Sequence, residues 1–274
     1  MLGSALMRHF TNQDVIGFGS ELNITNSLLL ASTLNEIKPN IIIHTAAYTD
    51  VDGCETNLDK AYAINTIGTQ NLVNYCIDKD VLFVYISSTG IYGTSKTDAY
   101  TEFSPINPTT VHHKSKYEGE KVVQNHLQKY LILRTGWLYG GDKTLSKNFV
   151  YKRFLEASSK DTVYSDNTQI GNPTYVVDFV KQLQLLIENQ QYGIFNCVNN
   201  AIGISRYDYV KKIVELFDLN CDVKIAPDEM FKRIAPVSHN ESAINYKLHL
   251  LDLNIMGDWE KSLATYIRQL RDEA

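Results

Sequence analysis

Cysteine is scarce in this 274-residue chain, and its four copies lie far apart. Cys54, Cys76, Cys197 and Cys221 form no C-x-x-C pair. That spacing offers no zinc ligand set and no disulfide framework, so no metal is expected and the thiols read as buried packing groups in a reducing compartment. Proline is sparse too, at 6 residues, and no Gly/Ser/Pro-rich linker, repeat or low-complexity tract divides the chain. No apolar run approaches the roughly 20 residues that span a bilayer. The first residues show no basic stretch leading into an apolar one, which gives the expectation of a cytoplasmic protein with no membrane partner. Positive charge is not in excess either. With 26 Lys and Arg against 31 Asp and Glu, the net charge of −5 gives a nucleic-acid partner little to hold.

What is present is alternation. Ile41-Ile42-Ile43, Val81 to Ile86 and Leu131-Ile132-Leu133 are short runs apolar on both faces, as strands in the middle of a sheet should be. Between them the apolar spacing predicts helices over 27–37, 58–77 and 111–127. Strands separated by such helices describe βαβ units, hence an α/β fold with a doubly wound parallel sheet. After about residue 140 the alternation loosens. Helices are predicted near 148–158, 176–189, 204–217 and 259–272, around short strands near 193–197 and 222–225. This part is expected to complete the core and to add a smaller C-terminal lobe. In such sheets ligands bind beyond the carboxyl ends of the strands. That rule brings Thr45 to Thr49, Ser87-Ser88-Thr89 and Thr135-Gly136-Trp137 to one rim.

Six stretches in order carry a family likeness: Ala46-Ala-Tyr-Thr-Asp-Val-Asp52, Asn65-Thr-Ile-Gly-Thr-Gln-Asn-Leu72, Ser87-Ser-Thr-Gly-Ile-Tyr-Gly93, Ser115-Lys116, Leu133-Arg-Thr-Gly-Trp-Leu-Tyr139 and Gln169-Ile-Gly-Asn-Pro-Thr174. Together they resemble the dTDP-4-dehydrorhamnose reductase branch of the extended short-chain dehydrogenase/reductase superfamily. The resemblance implies a Rossmann-like fold, with residues 1–140 as the dinucleotide-binding core and 141–274 completing it and forming the substrate-side lobe. It also implies NADPH or NADH as cofactor, a nucleotide-sugar substrate and, as an assembly, a homodimer. Leu2, Gly3, Asn23, Ile24, Ala47, Tyr48, Thr49 and Lys116 are the cofactor-binding positions it suggests. Ser88, Thr89 and Trp137 are its substrate positions, although Trp137 reads equally well as core.

The chain departs from that pattern in three places. Such folds begin with a strand and a glycine-rich turn that admits a pyrophosphate to a helix N-terminus. Met1-Leu2-Gly3-Ser4 matches only the end of that turn, as if the first strand were missing, and the expectation is a start placed too late. Val15-Ile16-Gly17-Phe18 reads as the second strand; Ser20 after it suits either dinucleotide. The third departure concerns the chemistry. Carbonyl reduction needs a proton donor on the oxygen and a group that polarises it. In the family a tyrosine donates, a lysine one helical turn later lowers its pKa and holds the ribose, and a Ser/Thr bonds the substrate oxygen. Ser88 and Lys116 match, but His112 stands at the tyrosine and His113 at the glycine after it.

Tyr117-Glu-Gly-Glu-Lys121 also spells Y-x-x-x-K. It is rotated by roughly 140° from the 112/116 face, and its glutamates suit an exposed surface. His112 as imidazolium is a competent acid, as a neutral ring it only donates a bond, and Lys116 opposes its charge. Two functions stand open here: catalytic His112, Lys116 and Ser88 in a sugar-nucleotide reductase, or a turnover-impaired binding or regulatory protein on the same scaffold.

Overall fold

The apolar runs become the middle of a parallel sheet. The computed structural model describes residues 1–227 and 229–272. In chain order the first elements are α1 (Leu2–His9), α2 (Ser27–Ile37), β1 (Ile41–His44), α3 (Val51–Thr56), α4 (Leu58–Tyr62), a π-helical turn (Ala63–Ile67) and α5 (Gly68–Cys76). They are followed by β2 (Leu82–Ser88), a 3-10 turn (Thr89–Tyr92), α6 (Val111–His126) and β3 (Tyr130–Thr135). Next come β4 (Leu138–Tyr139), α7 (Phe149–Ser158), β5 (Thr162–Ser165), β6 (Ile170–Gly171), β7 (Thr174–Tyr175), α8 (Val176–Glu188) and β8 (Gly193–Asn196). The chain closes with β9 (Ile204–Ser205), α9 (Arg206–Leu216), β10 (Asp222–Ile225), α10 (Tyr246–Leu250) and α11 (Trp259–Asp272).

β1, β2, β3 and β8 pair in that order, all parallel. Side chains on a strand alternate faces, and here both faces are covered. Leu82, Val84, Ile86, Leu131 and Leu133 enter one core with Leu6, Phe179, Leu183 and Leu270. Phe83, Tyr85 and Ile132 enter the other with Leu30, Leu34, Leu72 and Val73. The first core joins α1 to α11, so the early and late parts of the chain share one interior. The later part adds three short ladders, β5 with β10, β4 with β7 and β6 with β9. No helix among the described residues is long and apolar enough to cross a membrane. Cys54, Cys76 and Cys197 are buried, Cys221 is half-buried, and none is in a disulfide.

Two local expectations change. Val15–Phe18 is not a strand: the segment is irregular and Ile16 is 57% exposed. A strand persists only by ladder bonds to a neighbour, and the sheet order leaves β1 as an edge with no described strand beyond it. The helix expected over 58–77 is interrupted by the π turn at Ala63–Ile67. Such turns insert one extra residue and re-aim side chains. This one carries Asn65, buried and committed to the site below.

Candidate active site

Helix α6 presents the His-Lys frame, and its first turn is fixed from two sides. Thr110 Oγ1 accepts from the His113 N–H (3.1 Å), and Glu55 Oε1 accepts from the Val111 N–H (2.7 Å); both satisfy donors that a helix start leaves open. His112 and Lys116, one turn apart, share a face that packs toward β2 and the 3-10 turn after it, and both are buried. Lys116 Nζ sits 4.0 Å from the centroid of the Tyr85 ring. No described residue accepts a hydrogen bond from it. Burial pushes this amine down to about 7, with the Glu120 carboxylate opposing the change.

Glu120 overturns the expectation that the glutamates of α6 face outward. Residues 118 and 120 are about 200° apart on a helix, so one lies outside when the other lies inside. Glu118 pairs with Lys121 at the surface (2.7 Å). Glu120 is fully buried, and Arg134 holds both its oxygens, Nε on Oε1 at 3.0 Å and Nη2 on Oε2 at 2.7 Å. Arg134 Nη1 also donates to the Tyr92 hydroxyl (3.0 Å), which donates to Asn196 Oδ1 (2.7 Å). Tyr117 lies half-buried on the outward side, its ring 5.4 Å from Lys121 Nζ, and Lys121 is 44% exposed. The second Y-x-x-x-K frame is therefore a surface feature.

The two histidine rings meet edge to face at 4.9 Å. Burial first, then the neighbouring His113, Lys116 and Lys147, pushes His112 down to about 2, which favours the neutral imidazole. Its Nδ1 is enclosed without a hydrogen-bond partner. Burial also lowers His113, against the pull of Glu241, whose Oε1 lies 3.9 Å from His113 Nε2. Room for the second ring comes from Gly90: any Cβ there would overlap the His113 imidazole.

Opposite α6 stand the strand ends. Ser88 is paired in register with Thr135, and its Oγ accepts from the Gly90 N–H (3.1 Å), leaving the hydroxyl hydrogen free to donate. Ser87 Oγ, Thr89 Oγ1 and Thr135 Oγ1 are buried without partners. Buried polar atoms are nearly always satisfied, so this cluster marks where a polyhydroxylated ligand would supply the missing bonds. Trp137 follows at a left-handed φ of 43°, an uncommon conformation for a residue with a side chain. Its indole N–H donates to Glu241 Oε2 (3.2 Å), and the Arg206 guanidinium lies 3.5 Å from the centroid of its ring. At Gly171 an added Cβ would run into the indole. The ring is thus half-buried and carries an arginine on its face.

At the end of β1, Asn65 clamps the next segment. Its Oδ1 accepts from the Tyr48 N–H (2.8 Å), and its Nδ2 donates to the Tyr48 carbonyl (3.2 Å) and to Ser115 Oγ (2.9 Å). Ala47-Tyr48-Thr49 is thereby tied to α6, and Lys147 Nζ donates to Thr49 Oγ1 (2.7 Å). Gly3 in the first turn of α1 abuts Thr45, which follows β1. The Leu2 side chain belongs to the core, so only its backbone is available to a ligand. Asn23 is exposed, its Oδ1 engaged by the Thr25 N–H and hydroxyl (3.0 and 2.9 Å). Ile24 packs on Gly68. The open amine of Lys116, the fixed Ala47–Thr49 segment and the first turn of α1 fit a dinucleotide laid across the β1 end. The positions suggested from sequence thus fall in two groups, with Ser88, Thr89 and Trp137 at the ends of β2 and β3 and His112 and Lys116 on α6, which packs against β2 and the turn after it. Asn65, Glu120, Arg206 and Glu241 were missed. An asparagine in an apolar-periodic helix was the one available signal.

Comparison with known proteins places the chain in a family. The model of the RmlD substrate binding domain matches residues 1–272. A dTDP-4-dehydrorhamnose reductase of Aggregatibacter actinomycetemcomitans is 33% identical over 205 residues, 73% of this chain and 67% of that protein. The crystal structure of a dTDP-4-dehydrorhamnose reductase from Clostridium acetobutylicum superposes with a TM-score of 0.93 at 33% identity, covering 98% of this chain and 96% of that one. That of the Bacillus anthracis reductase in complex with NADP gives 0.92 at 31% identity, covering 98% and 95%. The chain belongs to the RmlD substrate binding domain family.

Proposed function

We propose that the protein reduces the ketone of a nucleotide-linked 4-keto-6-deoxy sugar with NADPH or NADH, as a dTDP-4-dehydrorhamnose reductase does. The observation that carries this reading is the set of side chains on α6 and at the ends of β2 and β3. Lys116 is buried against Tyr85, and the His112 Nδ1 and the Ser87, Thr89 and Thr135 hydroxyls are buried without partners, in a family whose relatives bear that activity in their names.

When bound, the reduced nicotinamide supplies the hydride; Lys116, Ala47, Tyr48, Thr49 and the first turn of α1 would hold the dinucleotide. The chain's own groups handle the oxygen. Ser88 Oγ–H and the neutral His112 N–H donate to the ketone oxygen and stabilise the charge that develops there. Burial disfavours the imidazolium of His112, so the proposed acid is sought elsewhere. Lys116 can serve. Its ammonium, poised near 7, gives up the proton that the alkoxide takes and is recharged from solvent, which matches the acid to the working pH. Thr89 and Trp137 flank the sugar.

The neutrality of His112 also favours the second reading, a sugar-nucleotide-binding or regulatory protein without turnover. Purified protein assayed with NADPH, NADH and dTDP-4-keto-6-deoxy-L-hexose separates the two. Turnover that falls as pH rises through about 7, and that Lys116→Met abolishes, is expected. Absence of oxidation with either cofactor, in a sample that binds the nucleotide, establishes the second reading instead.

A further inference from the structure

Arg206 is the first residue of α9, and its surroundings are unusual for a cation packed into the protein. The guanidinium covers the Trp137 ring at 3.5 Å and lies 5.4 Å from the centroid of Phe149. Among the described residues no carboxylate pairs with it and no oxygen accepts from it. Glu241 is committed to the Trp137 indole N–H (3.2 Å), and Asp166 to the N–H and hydroxyl of Thr168. The nearby Arg233 has its own partner in Asp52 (3.1 Å). Burial lowers Arg206 to about 10, against the pull of Glu241. A half-buried guanidinium whose donors meet no acceptor among the described residues is costly. Stacking fixes its plane and leaves its five edge donors for a ligand, a geometry that fits phosphate oxygens two at a time.

We propose that Arg206, stacked on Trp137 and without a direct ion pair or hydrogen-bond acceptor, docks a phosphate or diphosphate group of the ligand. The position suits the proposed substrate. From His113 the contacts run outward through Glu241 and Trp137 to Arg206. A ligand with its ketone at Ser88 and His112 would thus carry its diphosphate toward the arginine. The proposed dinucleotide positions gather at the end of β1, whereas Trp137 follows β3 and Arg206 opens α9, so we assign the diphosphate to the sugar nucleotide rather than to the cofactor. The identity of that nucleotide rests on the proposed function; the anion site does not.

Calorimetric titration of the full chain with dTDP, thymidine, inorganic pyrophosphate and NADP⁺ tests this. Ser205 and Asp208 cap α9 without the Arg206 side chain, so Arg206→Ala leaves the helix start intact. Wild type should bind dTDP at least about 10-fold more tightly than thymidine, from hydrogen bonds to a charged partner. Arg206→Ala should bring dTDP down to the thymidine level, abolish pyrophosphate binding, and leave thymidine and NADP⁺ unchanged; Arg206→Lys should recover part of the loss. Trp137 emission should respond to dTDP in wild type and not to thymidine.

Equal dTDP affinity in wild type and Arg206→Ala overturns the proposal. So does a parallel loss of dTDP and thymidine, which marks a structural role, or a loss confined to NADP⁺, which assigns the anion to the cofactor. Failure of wild type to bind dTDP or pyrophosphate does the same. An Arg206-dependent dTDP site without turnover would instead sink the reductase reading and leave this one standing.

Discussion

Replacing Lys116 with methionine should make the protein more stable and inactive, and the gain should depend on pH. The lysine is 4% exposed and has no hydrogen-bond acceptor among the described residues. Its amine loses its proton near 7 in the folded protein and near the ordinary 10.5 in the unfolded chain. Between those values the unfolded chain binds the extra proton, so stability rises with pH across the window. Below it the folded protein carries the full cost of a buried ammonium, about 5 kcal/mol for a gap of that size. Methionine fills similar space without charge. It forfeits the contact with Tyr85, worth about 1–2 kcal/mol, and the Glu120 attraction is already counted in the lysine's position. The expected gain at pH 6 is about 2–4 kcal/mol, shrinking toward zero by pH 10. Urea unfolding followed by circular dichroism at pH 6, 8 and 10 measures it. A variant no more stable than wild type at pH 6, or an offset unchanged by pH, would refute the reasoning that Lys116 is a strained, functional charge.

Three further outcomes follow from neighbouring contacts. His112→Tyr restores a phenol one turn from Lys116 and should raise kcat by about 10²-fold or more; a rate equal to or below wild type argues that the pocket is shaped around the imidazole. Gly90→Ala should destabilise by about 1–3 kcal/mol, because its methyl overlaps the His113 ring. The double variant with His113→Gly should recover most of that in thermal unfolding, and additive losses would show the two sites to be independent. Glu120→Gln leaves Arg134 buried without its carboxylate and should cost about 3–5 kcal/mol in urea. Glu118→Gln, on the exposed pair with Lys121, should cost at most about 1 kcal/mol.

The fold was legible in the sequence where periodicity had a single physical meaning. The runs at 41–43, 81–86 and 131–133 became β1, β2 and β3 because residues apolar on both faces have no other place in a two-sided core. The helix Ser27–Ile37 matched its forecast bounds: Asn26 caps it, and Lys38 ends it in a left-handed turn before Pro39. Val15–Phe18 misled because β propensity says nothing about whether a ladder partner exists. In the site, Ser88, His112 and Lys116 were singled out by the family resemblance of one helix and one strand end. Arg206, Glu241 and Glu120 were not. Each owes its position to a contact far away in sequence, Trp137 for the first two and Arg134 for the third. Charged residues of this kind look like ordinary surface until the partner is seen.

The histidine pair bears on whether this is a site that lost its chemistry or one arranged around different groups. A lone Tyr-to-His change in an otherwise unaltered pocket would leave a shorter side chain and a void. Here the second ring fills space that exists only because residue 90 has no side chain. The same ring stands 3.9 Å from a carboxylate that also holds the Trp137 indole. His113 is therefore built into the wall that carries Trp137 and, through it, Arg206. Packing of that kind holds His112 in place, and its burial favours the neutral ring, which is why the proposed mechanism gives the acid's part to Lys116. A buried amine that only Tyr85 and the more distant Glu120 offset is a costly group to keep at 116, since methionine there is expected to stabilise the fold. The retained lysine, more than the absent phenol, is what supports the proposed proton transfer.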